Sequence, residues 1–395
     1  MPLNLIPRTP YPHTINEIIK ALLGNRPEEF LVNLLKVLNL TEGILTGSGR
    51  EALFYILKTL LNKDDEIILP AFSCNVLLGA IKKAGVVPVF ADVNCDSLNM
   101  GLSHIEPLAN DKTKAVLVTH QFGYPADVDV IVDYCRFRNI LVIEDAAPAL
   151  GATYKGRQVG SFGDVGFFSF QQSKVISTID GGLIFGQTEL INKMMTELTP
   201  GPAHASIKYF VSALRTYSIK NEYIYFVLLN LWRMLNKPHT VADNLVWDFE
   251  LYSETYKRLS KFQMNLGNQQ LSLLPQILET RKQAATLYRD CLADCQAVIK
   301  IPQSDLSQRD HTYSRFPILV HDKDLFYNRV RQFGVDLGFT FSYKLPQYLS
   351  EYRQPVTYNN TDFIINHILN IPIHRKMSVN QLIIKRIQQA LNSLK

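Results

Sequence analysis

The chain has 395 residues, too many for one small core, and with 47% hydrophobic and 19% charged residues it excludes a disordered protein and predicts a large domain with a smaller second one. Its 41 basic and 36 acidic side chains leave a formal charge of +5 with no basic block, which argues against nucleic acid and suits an anionic small molecule. The five cysteines, Cys74, Cys95, Cys135, Cys291 and Cys295, lack CxxC spacing and histidines at metal-finger distances, so no metal site is expected, and a reducing cytoplasm is. The stretch MPLNLIPRTPYPHTINEI shows no secretion-signal pattern, and no run reaches the ~18 apolar residues of a membrane span.

Residues 1–40 carry two amphipathic patterns, Ile15 to Leu23 and Glu28 to Leu38, the first entered through Thr14 as a cap. They read as a helical arm packing on a neighbour or on the second domain. Next, Thr46-Gly47-Ser48-Gly49-Arg50-Glu51-Ala52-Leu53 leads into a helix from Glu51 to Leu61. Such a turn offers free N–H groups and a positive dipole end to a phosphate, although an ordinary capped turn has the same composition. From Glu66 the pattern alternates: EIILP, a helix from about Asn75 to Ala84, VVPVFADV, a helical segment at 103–109, AVLVTHQFG, a helix from about Val128 to Arg138, then ILVIED. Strands separated by helices of this length predict a mainly parallel sheet, within a large domain at 41–260.

The stretch from Asn139 to Gly182 reads NILVIEDAAPALGATYKGRQVGSFGDVGFFSFQQSKVISTIDGG. It places Asp145 where a buried strand leaves the sheet, which is where ligands bind in open α/β sheets. Lys174 follows in a serine-rich turn after the apolar run Val165 to Phe168. Apolar surroundings disfavour a lysine's charge and free its amine to condense with an aldehyde. Pyridoxal phosphate needs such a lysine and a carboxylate on its ring nitrogen. A solvated loop lysine and a capping aspartate are the plainer alternative. The strand LIFG after Gly182 fits the same sheet.

The segments TGSGREAL, DEIILPAFSCNVLLGAIKKAGVVPVFADVNCDSLNM, THQFGYPADVDVI, VIEDAAPALGATYKGRQVGSFGDVGFFSFQQSK and DGGLIFG, in this order, resemble the DegT/StrS family of pyridoxal-phosphate-dependent sugar aminotransferases. The resemblance implies the type I aminotransferase fold, α/β, with a mainly parallel sheet in the large domain and a small C-terminal α+β domain. Carried over by position, Lys174 matches the lysine that holds the cofactor covalently and Asp145 the partner of its ring nitrogen. Ser169 and the Ser48-Gly49-Arg50 turn match the groups that hold its phosphate. Three positions depart. Pro148 stands where the family has a glutamine near the ring hydroxyl. Cys74 replaces a stacking aromatic. The family's Asn-aromatic-Arg-Met motif reads Lys261-Phe262-Gln263-Met264, where Lys261 could serve the phosphate but the arginine is lost.

Residues from about 200 to 258 are an insertion relative to the family. Within it Tyr223 to Trp232 is almost wholly apolar, and Lys208, Arg215, Lys220, Arg233 and Lys237 surround it. This reads as a helix buried in the core or at a dimer interface, with contact to an anionic membrane surface through about 208–237, or the lining of an apolar substrate channel, as the alternatives. Residues 261–395 begin with a long helix over Gln269 to Leu292 and continue as a small unit containing FPILV and a helix from Lys323 to Phe333. His374 reads as a loop histidine and His120 as a neighbour of the site.

The expected activity is transfer of an amino group from an amino-acid donor to a keto-sugar, often nucleotide-linked in this family, by a homodimer in the cytoplasm. The rival readings are dehydration or deoxygenation of a sugar with the same cofactor, and a non-catalytic relative that binds or regulates.

Overall fold

The computed structural model describes residues 4–9, 11, 13–203, 205–219, 221–235, 255–349, 352 and 357–392, the side chains of Pro202, Trp232, Arg233 and Leu235 excepted. The arm forms two helices, α1 (Ile15–Leu23) and α2 (Glu29–Val37). Thr14 caps α1 as expected: its hydroxyl accepts from the Glu17 N–H at 3.3 Å, and the Glu17 carboxylate accepts from the Thr14 N–H at 2.6 Å. The same carboxylate takes both Arg375 Nη groups at 3.0 Å, so the arm is fastened to the C-terminal unit. Ile6 pairs with Val335 in that unit as well.

The alternating pattern then produces β1 (Gly43–Thr46), α3 (Gly49–Leu60), β2 (Glu66–Pro70), α4 (Val76–Ala84), β3 (Val87–Ala91), α5 (Leu102–Ile105), β4 (Thr113–Thr119), α6 (Val128–Phe137) and β5 (Leu141–Asp145). A ribbon of β6 (Thr153–Tyr154) and β7 (Arg157–Gln158) precedes β8 (Val165–Ser169) and β9 (Gly182–Gly186). The seven-stranded sheet has the order β1-β9-β8-β5-β4-β2-β3. Strands β8, β5, β4, β2 and β3 are mutually parallel, whereas β9 runs antiparallel to both neighbours. The strand expected at LIFG is therefore in this sheet, reversed because the turn after β8 contains no crossover helix. Successive residues feed opposite cores, Ile68, Val116, Val142 and Phe168 on one face and Ile67, Leu117, Ile143 and Phe167 on the other. That is why these strands read as unbroken apolar runs.

After α7 (Thr188–Glu197) and β10 (Thr199–Ala203) come α8 (Ser206–Ile219) and α9 (Glu222–Leu235); the chain returns as β11 (Thr255–Arg258), parallel to β10. The buried-core reading of Tyr223 to Trp232 is corrected here. Tyr223, Ile224, Val227, Leu228, Leu231 and Met234 of α9 are all exposed. The polar side of α9 is what docks: Tyr225 Oη donates to Asp336 Oδ2 at 2.6 Å, and Arg331 Nη2 donates to Asn230 Oδ1 at 3.0 Å. Lys220, Lys237 and the Arg233 side chain, expected to rim this helix, lie outside the described residues. Among the described residues no helix is long and apolar enough to cross a membrane.

The long helix expected over Gln269 to Leu292 is two helices, α10 (Lys261–Ser272) and α11 (Leu274–Leu292), with Leu273 between them. Pro275, in the first turn of α11, has no N–H to continue the preceding ladder, so the helix restarts there. Beyond it are β12 (Val298–Lys300), β13 (Arg309–Asp310), β14 (Phe316–Val320), α12 (Lys323–Gln332), α13 (Asn359–His367), β15 (Ile368–Ile371) and α14 (Met377–Asn392). An antiparallel sheet β12-β14-β15 packs with α11, α12 and α14 around Tyr288, Phe316, Ile318, Phe326, Ile383 and Ile387.

Candidate active site

The site lies at the carboxyl ends of β4, β5 and β8. Asp145, the last residue of β5, is 5% exposed; one of its oxygens accepts from the Ala147 N–H at 3.1 Å and the other from the Thr119 hydroxyl at 3.4 Å. Burial raises its pKa above the ordinary carboxylate value, and the nearby Lys174 opposes that rise. On the other side, burial lowers the pKa of Lys174, with Asp145 and the Cys74 thiol opposing and Arg315 adding to the fall. The two chemistry-bearing residues of the sequence reading thus share one buried pocket, and each meets the other's charge.

The Lys174 turn is held from three sides. Phe170 N–H donates to Gly181 O at 2.8 Å, and Thr178 N–H donates to Phe170 O at 3.0 Å. From α10, the Gln263 amide donates to Asp180 O at 2.8 Å and to Thr178 O at 3.3 Å, while its oxygen accepts from the Ser260 N–H at 3.0 Å. Gln263 is fully buried. The residue that replaces the family's arginine is a backbone clamp on the lysine turn.

A phosphate end adjoins the pocket. Ser48 caps α3 by accepting from the Glu51 N–H at 3.2 Å, and the earliest N–H groups of a helix have no intrahelical acceptor. A Cβ at Gly49 would stand 2.7 Å from the Ser169 Cβ, and one at Gly182 2.7 Å from the Ser48 carbonyl carbon, so only glycines let the helix start, Ser169 and β9 approach this closely. Arg50 bears on both Asp180 and Cys74. Burial pushes Asp180 up to about 6, with Arg50, Lys257 and Lys208 opposing. Glu51 is likewise raised by burial, to about 7. Helix N-terminus, hydroxyls and a guanidinium converging beside a half-buried lysine and a buried carboxylate fit pyridoxal phosphate at its two ends.

Cys74 does not stand without aromatic neighbours. Phe122 stacks on Phe341 at 5.7 Å and 13°, Phe72 meets Phe341 edge-on at 5.7 Å, and Asn75 N–H donates to Tyr343 Oη at 3.1 Å. Phe341 and Tyr343 are more than two hundred residues from Cys74 in the chain, and no spacing pattern pointed to them. Pro148, in place of the family glutamine, uses its carbonyl to accept from the Thr312 hydroxyl at 3.4 Å. His120 is fully buried: Nδ1 accepts from the Ala126 N–H at 3.1 Å, leaving Nε2 to donate to Glu144 at 2.9 Å. Glu144 also accepts from Gly160, Phe162 and Gly163 N–H groups, so the pair anchors the loop leading into β8. His374 is partly buried and lines two cavities beside the arm, one against α11 and the start of α14 and the other against α8 and α9.

Lys261 is the exception among the expected site residues. It is exposed at the first turn of α10, in a groove lined by Pro27, Leu31, Ile44, Arg258 and Met264 that includes none of Asp145, Lys174, Ser169 or Cys74.

A model of the DegT/DnrJ/EryC1/StrS aminotransferase family matches residues 13–391. The chain belongs to this family. Among curated relatives of this family member, GDP-perosamine synthase of Escherichia coli O157:H7 is 36% identical over 162 residues, 41% of this chain and 44% of that protein. The chain thus matches less than half the length of that relative. The dTDP-4-dehydro-2,3,6-trideoxy-D-glucose 4-aminotransferase of Saccharopolyspora spinosa is 27% identical over 337 residues, 84% of this chain and 79% of that protein. The crystal structure of the aminotransferase TlmJ from Streptoalloteichus hindustanus superposes with a TM-score of 0.78 at 22% identity, covering 99% of this chain and all of that one. The type I aminotransferase fold expected from the sequence is the fold of this chain.

Proposed function

We propose that this family member is a pyridoxal-phosphate-dependent aminotransferase that moves an amino group from an amino-acid donor to a keto-sugar, nucleotide-linked as in the named relatives. The observation that carries the reading is buried Asp145 and half-buried Lys174 set together beside the α3 N-terminus and Ser169. Bound there, pyridoxal phosphate supplies an electron sink that lets a carbon next to the transferred nitrogen give up its proton. Asp145, a carboxylate at a fixed position, holds the proton on the ring nitrogen. Lys174, whose amine burial makes easier to deprotonate, takes a proton from one carbon and returns it to another as general acid and base. Ser48, Gly49, Arg50 and Ser169 hold the phosphate. The test is product analysis with a keto-sugar nucleotide, with and without glutamate or glutamine. An amino sugar formed only with the donor supports transamination; a deoxygenated sugar formed without it would replace that reading by dehydration, and no product in either case by a binding role.

We further propose that the active form is a homodimer with its sites at the subunit boundary. Apolar residues are exposed on the arm, Ile19, Leu22, Leu23 and Val32, as well as along α9, and such surfaces are uncommon on monomers. Lys261, exposed and away from its own chain's pocket, is proposed to serve the phosphate end of the second copy. Sedimentation at micromolar concentration is expected to give about twice the 45.0 kDa chain mass. An active monomer would contradict this. In the same way, pelleting with anionic vesicles at low salt is the outcome that would assign α9 to a membrane surface instead.

A further inference from the structure

Position 263, where the family resemblance expects an arginine, is given over to holding the Lys174 turn, so it offers no charge to a substrate. An α-amino acid reacting beside Lys174 carries its carboxylate two bonds from the reacting nitrogen. Whatever recognises that carboxylate has to lie next to Lys174. The charged groups bearing on the Lys174 amine are Asp145, Cys74 and Arg315, and of these only Arg315 is a cation.

The segment before Arg315 is fixed against the site's own loops. Thr312 N–H donates to Gly123 O at 3.2 Å and Ser314 N–H to Phe122 O at 2.9 Å. Tyr313, whose carbonyl accepts from Arg281 Nη1 at 2.7 Å, has a φ of 47°. Phe122, whose carbonyl takes the Ser314 N–H, and Phe341, which stacks on it, have φ values of 55° and 57°. Non-glycine residues in this region persist where surrounding contacts over-determine them, and they concentrate at sites that bind. Arg315 sits deep in the molecule, yet its side chain keeps partial solvent contact, as a group lining a cleft does. Among the described residues no carboxylate pairs with Arg315 or with the buried Arg281 beside it. Burial lowers both guanidinium groups, Arg281 to about 10, with Arg315 adding to the fall at Arg281. Two adjacent cations, Arg281 buried and Arg315 only partly reached by solvent, are costly without an anion between or beside them. Arg50 is the other cation near Cys74, but it has Asp180 beside it and stands at the phosphate end.

We propose that Arg315, backed by Arg281, binds the carboxylate of the amino donor through its planar fork. The proposal rests on the aminotransferase reading above. A guanidinium matches a carboxylate with two parallel hydrogen bonds, which a lysine ammonium cannot reproduce.

The test is titration of the visible band of the cofactor-loaded protein with glutamate and with a simple alkylamine that has no carboxylate. Arg315→Gln is expected to keep the band and its alkylamine response, while half-saturation by glutamate moves up by about tenfold to a hundredfold. Arg315→Lys, which keeps the charge and loses the fork, is expected to lie between and serves if the glutamine variant does not fold. A variant that titrates with glutamate as the wild type does would overturn the role of Arg315 alone. A wild-type band that no amino acid shifts would instead sink the aminotransferase reading, and this proposal with it.

Discussion

Lys174→Ala is expected to lower turnover more than about a thousandfold, because one substitution removes both the covalent anchor of the cofactor and the proton-transferring amine. The fold should survive. The Lys174 side chain makes no hydrogen bond among the described residues, and burial already disfavours its charge, so alanine removes a costly group rather than a structural one. The turn itself is kept by Phe170, Thr178 and Gln263 contacts that do not involve the lysine side chain. The check is the absorption spectrum with borohydride reduction: the variant should lose the visible band and the reducible linkage while its circular dichroism stays that of the wild type. A retained, reducible linkage would move the anchor to another lysine.

Asp145→Asn is expected to bind cofactor and to lose about a hundredfold or more of turnover. An amide oxygen can still accept from the Ala147 N–H, and the amide NH2 can donate to the Thr119 hydroxyl oxygen in place of the bond the carboxylate accepted, but the amide has no charge with which to hold a proton on a ring nitrogen. The linkage to stability runs the other way. Burial raises the folded-state pKa of Asp145, so the stability associated with it is present below the unfolded carboxylate pKa and is lost as pH rises through the folded one. At neutral pH the cofactor-free asparagine variant should therefore melt no lower than the wild type while turning over far more slowly. Near-wild-type rates in this variant would remove Asp145 from the mechanism, and a large fall in the apoprotein's melting temperature would make its role one of folding.

The strands that position these residues were legible because each is a short apolar run ending at a polar residue, Thr119, Asp145 or Ser169, and strands buried on both faces leave that pattern. Asp145 was legible for the same reason, as the carboxylate that ends its run, and Lys174 as the lysine in the serine-rich turn that follows the next one. The direction of β9 was not, since a strand's composition is independent of its orientation. The break at Leu273 was signalled by Pro275, yet the apolar period continues across it and masks the restart. For α9 the apolar stripe was visible but not its surroundings. The helix is held by Tyr225 and Asn230 on its polar side, and no periodicity shows which side of a helix finds a partner. Arg315, Phe341 and Tyr343 reach the site from the C-terminal unit. Nothing in RDHTYSRF or FTFSY distinguishes such residues from ordinary loop chemistry until the two units are packed together.

The central claim is that the Lys174 and Asp145 pocket carries amino-group transfer. It is tested most directly by the visible spectrum of the wild-type protein loaded with pyridoxal phosphate, followed as amino donors and then the matching keto acid are added. The account predicts a band that one donor displaces, with one equivalent of keto acid released per site, and that the keto acid restores. A protein that forms no band, or whose band no amino donor moves, would contradict it.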